Sequence, residues 1–289
     1  MITRPLAHAL TERIANLRAV DGPAAAVAAQ VRSLLAPGAL KDALSGVPLG
    51  HPLHPLLTDV PIGTWTSATL LDLLGGSEAR PAAERLIGVG IAAAVPTALT
   101  GMTDWADGEP GDDAVRRIGA IHAVANVTAM ALYGASLVAR RRGAHATGVL
   151  LGLAGAGALG AGGWLGGDLA YARGVGVDQA LFVREPEDWT PALDASMLEE
   201  NRPAVATVGD LDLVIVSRQG AIHALADRCS HRGGALHEGE LIDDCIQCPL
   251  HGARYRLQDG SVQRGPSPYP QPVYEARIVG GRVEVRASR

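Results

Sequence analysis

Four long apolar stretches in the first two-thirds of this 289-residue chain constrain its fold more than any other feature. They lie at about 56–75, 86–103, 118–139 and 146–167. A helix needs about 20 residues to cross a bilayer, and inside lipid every backbone N–H and C=O must be bonded within the segment. The run from Leu86 to Thr103 carries no charge, the third stretch has only His122 as a group that can charge near neutral pH, and the fourth has none. The first is weaker, because Asp59 and Asp72 lie inside it and Pro61 loosens its first turn. Gly148-x-x-x-Gly152 and Gly163-x-x-x-Gly167 suit close approach of helix backbones in lipid. A soluble bundle rich in Ala and Gly is the alternative, and four such stretches in succession favour membrane spans.

Around these stretches the composition changes. Residues 1–45 read as amphipathic helix, with Leu6, Leu10, Ile14 and Leu17 at helical spacing and a break at Gly22-Pro23. They do not read as a secretory signal. Arg4, Arg13, Arg18 and Arg32 interrupt them, the Ala24–Ala29 run is short, and no twin-arginine pair is present. The last third has frequent charges and dense turn signals, as in a small β domain. With a net charge of -5, a single Phe and no basic block among aromatics, a nucleic-acid role has little support.

That last third holds two cysteine–histidine pairs, Cys229-Ser-His231 and Cys248-Pro-Leu-His251, with sixteen residues between His231 and Cys248. Thiolate and imidazole suit iron or zinc. Cys-x-His followed by Cys-x-x-His is not the zinc-finger order of two cysteines first and two histidines after. It suits one iron taking both thiolates and a second taking both imidazoles. A zinc site, or two unrelated pairs, is the alternative.

The segments 227–234 and 248–255 resemble the two cluster-binding loops of Rieske-type ferredoxins, and the resemblance continues through Asp259-Gly260-Ser261-Val262 and Gly265-Pro266 to 281–285. It implies a [2Fe–2S] cluster, one per chain, held by Cys229, His231, Cys248 and His251. High-potential members of that family carry a further cysteine in each loop, joined as a disulfide. The corresponding positions here are Gly234 and Leu250. Those members also place a serine, which donates to a bridging sulfur, where this chain has Ala253, and a tyrosine that donates to a cysteine sulfur where it has Tyr255. Cys245 then reads as a small buried apolar residue, His223 as structural and His237 as an exposed loop residue. Absence of a disulfide fits a reducing compartment.

Residues 45–180 resemble a family of uncharacterised bacterial membrane domains, through 51–63, Gly101-Met102-Thr103-Asp104-Trp105, 166–171 and 174–177. That resemblance implies architecture and no reaction. With four spans, parity puts His51, His54, Asp59, Asp104, His122, Asn126 and Asp168 at one membrane face, the face from which the β domain follows. Ionisable groups there are costly and line a site or a wet cavity, unless they merely reach the interfacial region. The site suits a b-type haem, a quinone pocket or a metal centre; His54 with His122 is the best-placed pair for axial haem ligation, and nothing in the spacing distinguishes haem from a quinone pocket.

The expectation is therefore a multidomain chain. An amphipathic segment (1–45) precedes an all-α transmembrane four-helix bundle (46–180), and a small all-β Rieske iron–sulfur domain (185–289) follows. The expected function is a membrane-anchored one-electron carrier exchanging electrons with a quinone or haem b at the membrane face. The alternatives are a ferredoxin-like component feeding a separate oxygenase, and a redox- or metal-sensing module. A multi-pass location in the cell membrane is expected, with a redox protein or quinone as partner. Lys/Arg counts on the two faces nearly tie, and the absent export signal and loop disulfide put the β domain in the cytoplasm.

Overall fold

The computed structural model describes residues 6–182 and 186–288. Position 185, where the β domain is expected to start, lies outside the described residues. Helices α1 (Leu6–Ala15), α2 (Asp21–Leu34), α3 (Ala39–Leu44), α4 (Leu53–Leu74), α5 (Arg80–Gly108), α6 (Asp113–Arg141) and α7 (His145–Gly167) precede ten β-strands. The chain divides into two compact units. One holds the chain up to Leu34 with Leu53–Val175, and the other holds Leu35–Pro52 with everything from Gly176 onward. Helix α3 thus belongs to the β unit.

In the helical unit, Ser77–Gly111, Asp113–Arg141 and His145–Ala172 are long and apolar enough to cross a membrane. Large apolar side chains such as Val95, Val124, Val127 and Leu150 stay exposed on these helices, as lipid-facing residues must. The expected first span is α4, 22 residues long. Asp59, Asp72 and Pro61 lie inside it, and among the described residues three other helices are long and apolar enough to cross a membrane.

Small residues set how closely these helices approach. Gly148 and Gly152 of α7 are buried against Ser136 and Arg140 of α6, and Gly155 against Tyr133, whereas nothing lies near Gly163. The first expected glycine pair therefore sits in a helix interface and Gly163 does not. Trp65 stacks on Tyr133, centroids 4.4 Å apart at 16°, and donates its indole N–H to the Ile87 carbonyl at 3.2 Å. Asp72 is paired bidentately with Arg140, at 2.8 and 2.5 Å, and both side chains are about 95% or more buried. Arg140 is therefore the partner of a buried carboxylate on α4.

The other unit contains two antiparallel sheets. The larger has six strands in the order β1 (Thr190–Asp194), β10 (Arg282–Ala287), β9 (Val273–Val279), β4 (Ala221–Ala226), β3 (Leu211–Arg218) and β2 (Pro203–Val208). The smaller runs β5 (Glu240–Ile242), β6 (Cys245–Gln247), β7 (Arg254–Arg256) and β8 (Val262–Arg264). The β2–β3 and β3–β4 hairpins turn at the expected Gly209-Asp210 and Gln219-Gly220, with positive φ at Gly209, Gln219 and Gly220. Val214, Val216 and Leu225 of the large sheet pack against Leu236, Ile246, Tyr255 and Leu257, and the same buried cluster includes Cys229 and Cys248.

Candidate metal centre

Two loops carry the cysteine–histidine pairs, one between β4 and β5 and the other between β6 and β7. They close in the same way. The N–H of Cys229 donates to Gly234 O at 2.9 Å and Gly233 N–H returns to Cys229 O at 2.8 Å. In the second loop Cys248 N–H donates to Ala253 O at 2.8 Å and Gly252 N–H returns to Cys248 O at 3.1 Å. Gly233 and Gly252, four residues after their cysteines, have φ of 70° and 75°, a region open mainly to glycine. Each cysteine therefore starts a tight turn with its side chain directed inward.

These turns bring the four side chains together as two pairs. The Cys229 and Cys248 thiols lie side by side, close enough to perturb each other's ionisation. The His231 and His251 rings meet edge to face, centroids 5.0 Å apart at 87°. Among the described residues no three acidic, Cys or His side chains converge as a shell for a single ion. Two thiols beside two imidazoles are instead the donor set of a two-iron cluster, with soft ligands at one iron and borderline ligands at the other.

Electrostatics favours the ligating form at Cys248 and His231 and opposes it at Cys229. Cys248 is lowered to about 7, chiefly by the neighbouring Cys229 thiol and also by the N–H groups of Leu250 and His251. Cys229 is pushed up by the neighbouring Cys248 and by burial. His231 is held well below the usual imidazole range by burial, then by His251, Arg232 and Lys41, so it is neutral with a lone pair to offer.

The positions facing the thiols also fit. An ideal Cβ on Gly234 would lie 2.8 Å from Leu250 Cδ1 and 3.0 Å from Cys248 Sγ. Gly234 and Leu250, where high-potential relatives carry the bridging cysteines, therefore face each other across the loops. Tyr255 OH lies 3.2 Å from Cys229 Sγ and 3.0 Å from Ser230 Oγ. Burial and the neighbouring Cys229 raise the phenol well above its usual range, so it stays protonated and can donate to the sulfur. Ala253 is fully buried and supplies only its carbonyl.

Several supports carry no sequence signature. Ser230 Oγ bonds Ser267 Oγ at 2.8 Å, and its N–H donates to Gln271 Oε1 at 3.0 Å. Gln271 donates in turn to the carbonyls of Ala226 and Arg228 at 2.7 and 2.8 Å. The one available clue was the Gly/Pro/Ser-rich stretch 265–272, which reads as a loop and carries both Ser267 and Gln271. His237 is not an exposed loop residue: Nδ1 and the backbone N–H each lie 2.7 Å from the buried Asp227 carboxylate, anchoring the end of the first loop. Cys245 is half-buried on β6.

Comparison with known proteins agrees with this geometry. Residues 188–275 match the Rieske [2Fe–2S] domain model, and residues 50–179 match one described as a predicted membrane protein, DUF2231. The ferredoxin subunit of anthranilate 1,2-dioxygenase from Burkholderia cepacia is 33% identical over 98 residues, which is 34% of this chain and 91% of that protein. The chain belongs to the Rieske [2Fe–2S] family. Its Rieske domain follows a DUF2231-type membrane domain in a multi-pass membrane protein, and one cluster per chain makes it an electron-transfer protein.

Other relatives match over part of the chain. The cytochrome b6-f complex iron-sulfur subunit of Chlorobaculum tepidum is 37% identical over 76 residues, 26% of this chain and 41% of that one. The 3-phenylpropionate/cinnamic acid dioxygenase ferredoxin subunit of Escherichia coli is 37% identical over 65 residues, 22% of this chain and 61% of that one. Among solved structures, the ferredoxin of carbazole 1,9a-dioxygenase from Nocardioides aromaticivorans matches at 21% identity and a TM-score of 0.33, covering 35% of this chain and all of that one.

In the helical unit the expected polar set divides. His54 Nδ1 donates to Thr97 O at 3.0 Å with its ring against Gly101, and His122 Nδ1 donates to Gly162 O at 2.8 Å with its ring against Gly166. Asn126 lies beside His122, with Nδ2 3.2 Å from Nε2. Asp168 pairs with Arg173 at 2.9 Å, and Asp59 is exposed. His51 belongs to the other unit.

Proposed function

We propose that this chain is a membrane-held ferredoxin whose Rieske domain passes single electrons to a separate oxygenase component. Cys229 and Cys248 ligate one iron, and His231 and His251 ligate the other. The bound cluster supplies a one-electron store whose potential is raised by neutral imidazole in place of two thiolates. The protein's part is to bury the thiolate pair, hold the imidazoles neutral and donate from Tyr255 to Cys229 Sγ. The observation that carries this reading is the identity to a dioxygenase ferredoxin subunit across 91% of that subunit's length.

Helix α4 completes a four-span domain over residues 46–180, with the Rieske domain, residues 185–289, on the cytoplasmic side. Tethering to the membrane raises the effective concentration of a carrier toward any acceptor held there. A test mixes the dithionite-reduced full chain in detergent with a purified Rieske-type oxygenase. Cluster reoxidation that is saturable in oxygenase and lost with an oxygenase lacking its own cluster is the expected result. Reoxidation that ignores the oxygenase and follows added quinone would refute it.

That outcome would favour a second reading, an exchange with a quinone or haem b at His54 and His122. Each Nδ1 faces a carbonyl and so carries the proton, which leaves Nε2 with the lone pair. An optical spectrum of the reduced protein for a b-type α-band, followed by solvent extraction for quinone, separates the two ligands.

A further inference from the structure

Ser230, Tyr255 and Ser267 are fully buried, so their hydroxyls must find partners within the protein. They stand in line. Tyr269 N–H donates to Ser267 Oγ at 3.2 Å, Ser267 Oγ is 2.8 Å from Ser230 Oγ, Ser230 Oγ is 3.0 Å from Tyr255 Oη, and Tyr255 Oη is 3.2 Å from Cys229 Sγ. The two ends of this line have fixed polarity, because a backbone N–H only donates and an iron-bound thiolate only accepts. Each hydroxyl between them has one proton to give. Three protons fill the three gaps only when every hydroxyl donates towards the sulfur. The Tyr269 carbonyl competes for two of them, at 3.1 Å from Ser230 Oγ and 3.2 Å from Ser267 Oγ. In both cases the contact along the line is the shorter one.

We propose that Ser267 and Ser230 are positioning residues that set the three hydroxyls head to tail, so that the Tyr255 proton is directed to Cys229 Sγ and not back to Ser230. The inference rests on the cluster ligation proposed above. An oxygen that accepts a hydrogen bond becomes a stronger donor through its own proton, and a buried line of such bonds strengthens its last member. On reduction one electron arrives from a one-electron reductant, no covalent bond forms or breaks, and each proton stays on its own oxygen. The thiolate sulfur becomes more negative, and a strengthened donor to it favours that state. Ser267 thus acts on the centre at one remove, through Ser230 and Tyr255. Gln271 holds the middle of the line in place, since its Oε1 accepts the Ser230 N–H at 3.0 Å.

The test is a redox titration of the full chain in detergent, followed by the electron paramagnetic resonance signal of the reduced cluster. Cooperative strengthening of ~10–30% per bond makes one lost link worth about twofold in the reduced-to-oxidised ratio at fixed potential, or ~18 mV for one electron. Ser267→Ala should lower the midpoint by about that much, and Ser230→Ala by at least as much. Ser267→Thr keeps the hydroxyl and should stay near wild type. Neither alanine variant should shift the midpoint further in a Tyr255→Phe background, because the line then stops short of the sulfur. A rise in Ser230→Ala overturns the proposal, since Ser230 would then be drawing the Tyr255 proton away from Cys229. An unchanged midpoint in Ser267→Ala overturns it too, as does an equal fall in Ser267→Thr or a fall that persists with Tyr255→Phe, either of which would assign the effect to packing. If Ser267→Ala holds no cluster, Ser230→Ala decides by its sign: a fall supports the line of donors, and a rise or no change overturns it. A wild-type protein without the cluster signal would refute the ligand assignment, an outcome distinct from any of these.

Discussion

Tyr255 and Ala253 are the two positions at which single atoms tune this centre. Tyr255 OH is 3.2 Å from Cys229 Sγ, and a donor to a thiolate sulfur stabilises the more negative, reduced state. Taking the bond as worth about 1 kcal/mol more after reduction, Tyr255→Phe should lower the midpoint by roughly 40 mV at ~59 mV per tenfold. Ala253 offers no hydroxyl, so the wild-type midpoint is expected in the lower part of the roughly -150 to +300 mV Rieske range, and Ala253→Ser should raise it. Redox titration checks both, and a wild-type value near the top of the range would contradict the argument. The cysteines and histidines were legible because ligand chemistry dictates residue type and spacing together. Gln271 and Ser230 were not, because a buried hydrogen-bond network can be built from many polar residues at many spacings.

At the scale of helices and strands, apolar runs located α5, α6 and α7, and turn residues located β2, β3 and β4. What the runs leave open is the partner of each buried polar group. Asp72 weakened the first stretch as a span, and its bidentate pairing with Arg140 is a contact between residues 68 apart, beyond any periodicity. Removing one partner of a buried ion pair strands the other charge and costs about 3–5 kcal/mol. Asp72→Asn should therefore lower the thermal midpoint of the helical signal in detergent, and Asp72→Leu with Arg140→Leu should recover most of the loss. Equal midpoints for wild type and Asp72→Asn would remove the pair from the account. Helix α3 falls within the stretch 1–45 read as helical, but its place in the Rieske unit was invisible, because only long-range contacts assign it there.

For the molecule as a whole, the sequence divides into a membrane part and a redox part because different solvents select their residues. Lipid selects long apolar helices, whereas a small β domain in water selects alternating strands and tight turns. The account's central claim is the mixed Cys/His ligation of a two-iron cluster, and electron paramagnetic resonance of the dithionite-reduced full chain tests it most directly. The signal should have the low average g typical of Rieske centres, accompany two irons and two sulfides per chain on the stoichiometry of a [2Fe–2S] cluster, and be abolished or altered by His231→Cys and by His251→Ala. Stoichiometric zinc without inorganic sulfide, or a signal unchanged in both histidine variants, would contradict it.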